Sequence, residues 1–206
     1  MYIFLDYDGT IVETPEQDFM KLYFLELSKK SQLPIEYIYK MVMSSIEEIL
    51  KNQNPEKFLF DSFLEVIVSK DKYDREFWYN LFFDFYENEF DKVGKVMKPN
   101  KKLVEKIKTT NKKLIFASNP LFPEIATLKR IRFVGLKPEN FTYIAHMENS
   151  HFAKPNPLFF KEIMEELNIS PNECVMIGDT EYDKSCEKVG IKFFHISEED
   201  KWEKIF

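Results

Sequence analysis

The run YIFL at residues 2–5 is strand-like, and from Thr14 to about Val96 no other segment is. A lone strand can neither pair its backbone groups nor bury both faces. Its partners must therefore lie far down the chain. The candidates begin near Lys98, where short apolar runs in NKKLIFASN, FTYIAHM, ECVMIGD and KFFHIS alternate with amphipathic helical stretches. That alternation predicts an α/β fold with a parallel, Rossmann-like sheet and helices on both faces.

The opening strand then belongs with the second half of the chain, and everything between is an insertion. PEQDFMKLYFLELSKK repeats apolar residues at Phe19, Leu22, Tyr23 and Leu27, and PIEYIYKMVMSSIEEILKN at Ile35, Ile38, Val42, Ile46 and Ile49. Both spacings are helical, and each starts with Pro at a first-turn position. PEKFLFDSFLEVIVSK and YDREFWYNLFFDFYENEF continue the pattern, the latter through Trp78, Leu81, Phe82, Phe85 and Tyr86. Four helices with short loops predict a small bundle. The expected division is a core of residues 1–13 and 97–206 with a helical cap of residues 14–96. At 206 residues, one domain carrying a smaller insert accounts for the whole chain.

The net charge of −6 falls wholly on the stretch from Glu13 to Met97, and no basic cluster is flanked by stacking aromatics, so nucleic acid is not an expected partner. No run approaches the roughly 18 apolar residues that span a bilayer, and Asp6 and Asp8 interrupt the first apolar run before it resembles an export signal. Two cysteines, Cys174 and Cys186, make neither a disulfide framework nor a metal site, and read as small packing residues. A cytoplasmic protein, monomer or homodimer, acting on a small molecule is the expectation.

In an open parallel sheet, ligands bind beyond the carboxyl ends of the strands. After YIFL come Asp6, Asp8, Gly9 and Thr10; after KLIFA come Ser118 and Asn119; after CVMI come Gly178, Asp179 and Thr180, then Asp183. Lys154, in AKPNP, precedes the helix that feeds this last strand. The chain has only five glycines, and Gly9 and Gly178 sit beside these aspartates, where backbone must turn sharply or approach a ligand.

DYDGT, ASN, AKPNP and GDTEYD, in that order, resemble the four motifs of the haloacid dehalogenase-like hydrolases, most of which are magnesium-dependent phosphatases. The resemblance covers the chain apart from the inserted helices, whose position is similar to that of the family's helical caps. It implies that Asp6 is nucleophile and metal ligand. Asp8 would be general acid and then base, with its carbonyl on the metal, and Asp179 a further ligand. Asp183 would orient metal-bound water or support Lys154. Members that resemble the dehalogenases lack an acid at the position of Asp8, so its presence favours phosphoryl transfer.

The chemistry requires such groups independently. A carboxylate attacks an anionic phosphate ester only where charge is screened, and Mg2+, an oxygen-seeking cation, provides that. Ser118, Lys154 and the backbone donors of the Gly9–Thr10 and Asn119 turns suit the phosphoryl oxygens. The expected activity is hydrolysis of a small phosphorylated metabolite through an aspartyl-phosphate. A phosphomutase and a non-catalytic binding protein are the alternatives, and a phosphonatase would need a Schiff-base lysine such as Lys21. Glu13, Thr14 and the cap are expected to choose the leaving group, with Arg75 or a lysine to meet any second anion. His146, His151 and His195 lack ligand spacing and read as structural or solvent-facing, His151 being the nearest to an exception.

Overall fold

In the computed structural model, which describes residues 1–206, Tyr2–Leu5 forms β1 and finds both partners far downstream. Helices follow it: α1 (Glu16–Ser31), α2 (Ile35–Lys51), α3 (Leu59–Lys70), α4 (Arg75–Asn88), the single turn α5 (Asp91–Gly94) and α6 (Lys101–Thr109). Strands and helices then alternate through β2 (Lys113–Phe116), α7 (Glu124–Phe133), β3 (Tyr143–Ile144), α8 (Leu158–Glu166) and β4 (Cys174–Gly178). The short α9 (Glu181–Lys184), β5 (Lys192–His195) and α10 (Glu199–Trp202) complete the chain. The sheet is parallel throughout, in the order β3-β2-β1-β4-β5. Of FTYIAHM only Tyr143 and Ile144 are strand, because the Asn149 side chain donates to the Ile144 carbonyl and the backbone turns away.

The chain builds outward from β1 through β2 to β3, then crosses to β4 and β5, so strand order reverses at β1. Leu5 pairs with Phe116 on one side and Ile177 on the other. Asp6, Ser118 and Asp179 therefore leave the sheet at the same edge, beside the crevice that such a reversal opens.

β1 is central and buried on both faces, with Ile3, Phe4 and Leu5 all at 0% exposure. Successive side chains point to opposite faces. Phe4 packs with Phe159, Phe160 and Ile163 of α8, whereas Ile3 and Leu5 share a cluster with α6, α7 and the inserted helices. That larger cluster runs without a break from the sheet to Phe19, Tyr23, Phe63 and Trp78. In α4 the buried residues are Trp78, Leu81, Phe82, Phe85 and Tyr86, the stripe that its helical spacing predicts. Pro15 and Pro34 stand at the N-cap positions of α1 and α2, one residue before the predicted first turn.

Polar contacts stitch the inserted helices to the sheet's loops. The first turn of α3 donates from Leu59 N–H to the Ser150 carbonyl (2.9 Å) and from Phe60 N–H to that of Met147 (3.0 Å), satisfying donors that a helix start leaves free. Lys129 of α7 reaches back to the Glu87 carbonyl at the end of α4 (2.8 Å). No helix is long and apolar enough to cross a membrane.

Candidate active site

Asp6 leaves β1 with its N–H donating to the Ile177 carbonyl at 3.0 Å, which ties the first acidic loop to β4. The chain turns at Gly9, whose φ of +76° lies in the left-handed region. A Cβ there would also sit 2.0 Å from Asp179 Oδ2. Gly178 makes the equivalent space below, since a Cβ on it would lie 2.5 Å from Asp183 Cγ. Two of the chain's few glycines thus exist to let carboxylates approach backbone.

Lys154 is the hub of the cluster. Its side chain is 2% exposed, and Nζ donates to Asp6 Oδ1 at 2.7 Å and to Asp183 Oδ1 at 2.5 Å. Asp6 Oδ2 has no hydrogen bond within the protein. Asp183 accepts through its other oxygen from the backbone N–H groups of Asp179 and Thr180 and from the Thr180 hydroxyl, at 2.8–3.2 Å. Its acceptors are occupied, and it fixes the loop that carries Asp179. Asn119 clamps the lysine from the β2 side: its Oδ1 accepts from Lys154 N–H (3.1 Å) and its amide donates to the Lys154 carbonyl (3.4 Å). Gln53, in the α2–α3 loop, bonds Ala153 and Asn156 on either side of this lysine.

These groups sit at one end of a cavity of about 660 Å3 lined by Asp6, Asp8, Gly9, Ser118, Asn119, Lys154 and Asp179. The Ser118 hydroxyl has no partner within the protein. Thr10 has its side chain fully buried away from the cavity with the hydroxyl unpartnered, and its backbone N–H donates to the Tyr7 carbonyl (3.3 Å). Thr14 lines the cavity, but its hydroxyl is committed, donating to the Val96 carbonyl (2.9 Å) and accepting from Lys98 N–H (2.7 Å). Arg75 pairs with Asp61 on the surface, and neither it nor Lys21 borders the cavity.

Arg130 is the residue that sequence reasoning missed. It rises from α7, 2% exposed, and its Nη2 donates to Asp8 Oδ2 at 2.5 Å. Its guanidinium carbon lies 4.4 Å from the Tyr7 ring centroid and 4.5 Å from that of Phe122, a flat cation held between two faces. The Tyr7 hydroxyl closes the arrangement by donating to the Arg130 carbonyl. The available signal was rarity, as the chain has three arginines against many lysines. Nothing local showed that this one turns inward.

The residues fit a divalent cation. Oxygens of Asp6, Asp179 and Asp183 lie within 4.8 Å of one another, and the buried Asp179 Oδ1 has no partner. Burial pushes the Asp6 carboxyl up to about 7; Lys154 opposes this, while Asp183 and Asp8 add to it. Burial and then Asp183 likewise raise Asp179. Burial thus outweighs the compensation from Lys154, the one lysine that three acids share. An all-oxygen donor set with excess negative charge suits Mg2+.

The histidines are structural. His195 accepts at Nδ1 from Ser197 N–H, so Nε2 carries the proton and donates to the Asp179 carbonyl (3.0 Å). His146 pairs with Glu148 and His151 with Glu162, the latter ring against Phe58 at 4.3 Å.

A sequence profile described as haloacid dehalogenase-like hydrolase matches residues 2–196. Among curated proteins, none matches the sequence. Among solved structures, the chain is similar to a HAD phosphatase from Thermococcus onnurineus, with 19% identity over 93% of this chain and 84% of that one, TM-score 0.54. It is similar to a predicted phosphoglycolate phosphatase from Haemophilus somnus 129pt (17% identity, 93% and 83% covered, TM-score 0.56). The L-2-haloacid dehalogenase from Xanthobacter autotrophicus also aligns, at 13% identity, 93% and 75% coverage and TM-score 0.57. At these identities the likeness is one of fold.

Proposed function

The chain belongs to the haloacid dehalogenase-like hydrolase family, and from that premise we propose that it is a Mg2+-dependent phosphatase acting on a small phosphomonoester. The observation that carries the reading is the pair of carboxylates at the cavity's end: Asp6 gripped by Lys154, and Asp8 beside it, held by Arg130. A haloalkane needs a nucleophile but no acid for its leaving group, whereas an alkoxide needs a proton. Asp8 supplies one.

Asp6 Oδ2 attacks phosphorus and the bond to the leaving oxygen breaks, while Asp8 donates its proton to the departing alcohol. The aspartyl-phosphate on Asp6 is then opened by water. Asp8 takes the water's proton, the bond between phosphorus and Asp6 breaks, and phosphate leaves. Lys154 keeps Asp6 oriented and puts positive charge beside the phosphoryl oxygens, to which Ser118 and the backbone N–H groups after Asp8 and Ser118 donate. Arg130 fixes the rotamer of Asp8, and Asp183 fixes Asp179 and Lys154. Asp6, Asp179 and the Asp8 carbonyl would hold Mg2+, which when bound supplies the charge that lets a carboxylate approach an anionic ester. Residues 14–96 would act as a cap over a core of residues 1–13 and 97–206.

The test is release of inorganic phosphate from p-nitrophenyl phosphate with Mg2+. Turnover that disappears in Asp6→Asn, with circular dichroism unchanged, is the expected result. Failure to turn over any phosphoester would overturn the reading, and isomerisation of a sugar phosphate without phosphate release would replace it with a phosphomutase.

A further inference from the structure

The cavity that begins at Asp6 does not end there. It continues into the bundle, where Phe24 of α1, Val42 and Ile46 of α2, Phe63 of α3 and Phe82 of α4 form its walls. All four long inserted helices contribute, and these five residues are otherwise buried. Tyr23 and Tyr86 also border it, but their hydroxyls bond each other at 2.7 Å.

Charge narrows the occupant further. The basic residues lining the cavity are Arg130 and Lys154, and each is already paired with a carboxylate of the catalytic end. Glu13, Glu16 and Glu47, all exposed, add negative charge at its border. A second phosphate or carboxylate on the substrate would enter this chamber without a partner, which is costly in apolar surroundings.

Resting on the phosphatase reading for the end at Asp6, we propose that the chamber among α1–α4 holds the leaving group, and that this group is an uncharged apolar chain. The natural substrate is then the phosphate monoester of an apolar alcohol, phosphoryl group at Asp6 and hydrocarbon among Phe24, Val42, Ile46, Phe63 and Phe82. A volume of about 660 Å3 is in the range of cavities that enclose such ligands.

Binding of n-alkylphosphonates from ethyl to octyl, measured by calorimetry with Mg2+ present, tests this without requiring turnover. The expected result is affinity rising about fourfold for each added methylene, the equivalent of about 0.8 kcal/mol per buried CH2. A carboxyl group at the far end of the hexyl chain should weaken binding by at least about tenfold. Val42→Phe, which narrows the chamber, should stop the rise at a shorter chain. An affinity independent of chain length, a terminal carboxylate that binds as well as a methyl, or a series untouched by Val42→Phe would each overturn the proposal. Turnover of p-nitrophenyl phosphate separates the two readings. A flat series with turnover removes the apolar leaving group and leaves the phosphatase; a rising series without turnover keeps the chamber and removes the phosphatase; a flat series without turnover removes both.

Discussion

The two ends of the cavity are built by different physics. At the sheet edge, position is set by discrete hydrogen bonds: Lys154 to two carboxylates, Asp183 to two backbone N–H groups, Asn119 to both backbone groups of Lys154. Two glycines there leave no room for a Cβ, which would come within 2.0 Å of Asp179 Oδ2 or 2.5 Å of Asp183 Cγ. Among the inserted helices, the walls are Phe, Ile and Val side chains whose contacts are non-directional. A displaced carboxylate loses its reaction geometry, whereas a displaced Phe only alters volume. One end should fail abruptly under substitution, and the other should change its preference by degrees.

The most abrupt failure is expected at Asp6. Asp6→Asn should cut phosphoester turnover by at least about 10^3-fold, because an amide cannot replace the carboxylate that takes up the phosphoryl group in the proposed route; residual activity within tenfold of the unaltered protein would show that attack comes from elsewhere. Removal of metal with EDTA should abolish turnover, with Mg2+ restoring it. A second readout is independent of catalysis. Mg2+ should raise the melting temperature of the unaltered protein by mass action and leave that of Asp179→Asn nearly unchanged.

The same contrast decides how much of the molecule is legible in its sequence. The motifs at the sheet edge are contiguous in sequence, so Asp6, Asp8, Ser118 and Asp179 could be placed after strands and Lys154 on the loop before α8, while the roles proposed for them rest on the resemblance of those motifs to a family. The sheet was legible because a buried central strand such as β1 leaves a continuous apolar run. A strand-to-turn pattern says which residues leave the strand, but not which side chains face the cavity, and the Thr10 hydroxyl lies buried off it. The apolar walls were hidden for a related reason. Helical spacing shows that Val42, Ile46 and Phe82 face inward, and core and chamber look alike in sequence. Arg130 was hidden because Asp8, its ion-pair partner, and Tyr7 lie more than 120 residues away and only the tertiary fold brings them to α7; Phe122 stands just before that helix.

Arg130 lies where the two ends meet, and it tests whether they are separable. Arg130→Lys keeps the charge but loses the flat fork stacked on Tyr7 and Phe122. Turnover should fall by about 10- to 100-fold, mainly in kcat, because Asp8 loses its fixed rotamer while the phosphoryl site is intact. A fall confined to KM would assign Arg130 to substrate binding instead.

The smallest effect is expected deep in the bundle. Tyr23→Phe removes one member of the buried Tyr23–Tyr86 pair and leaves the other hydroxyl without its partner. The expected cost is about 1 kcal/mol of unfolding free energy by urea denaturation. It should be a change in midpoint at constant slope, since no surface is newly exposed. A larger loss with a reduced slope would show that this hydroxyl pair organises the bundle as Lys154 organises the sheet edge, and the distinction between the two ends would fail at that point.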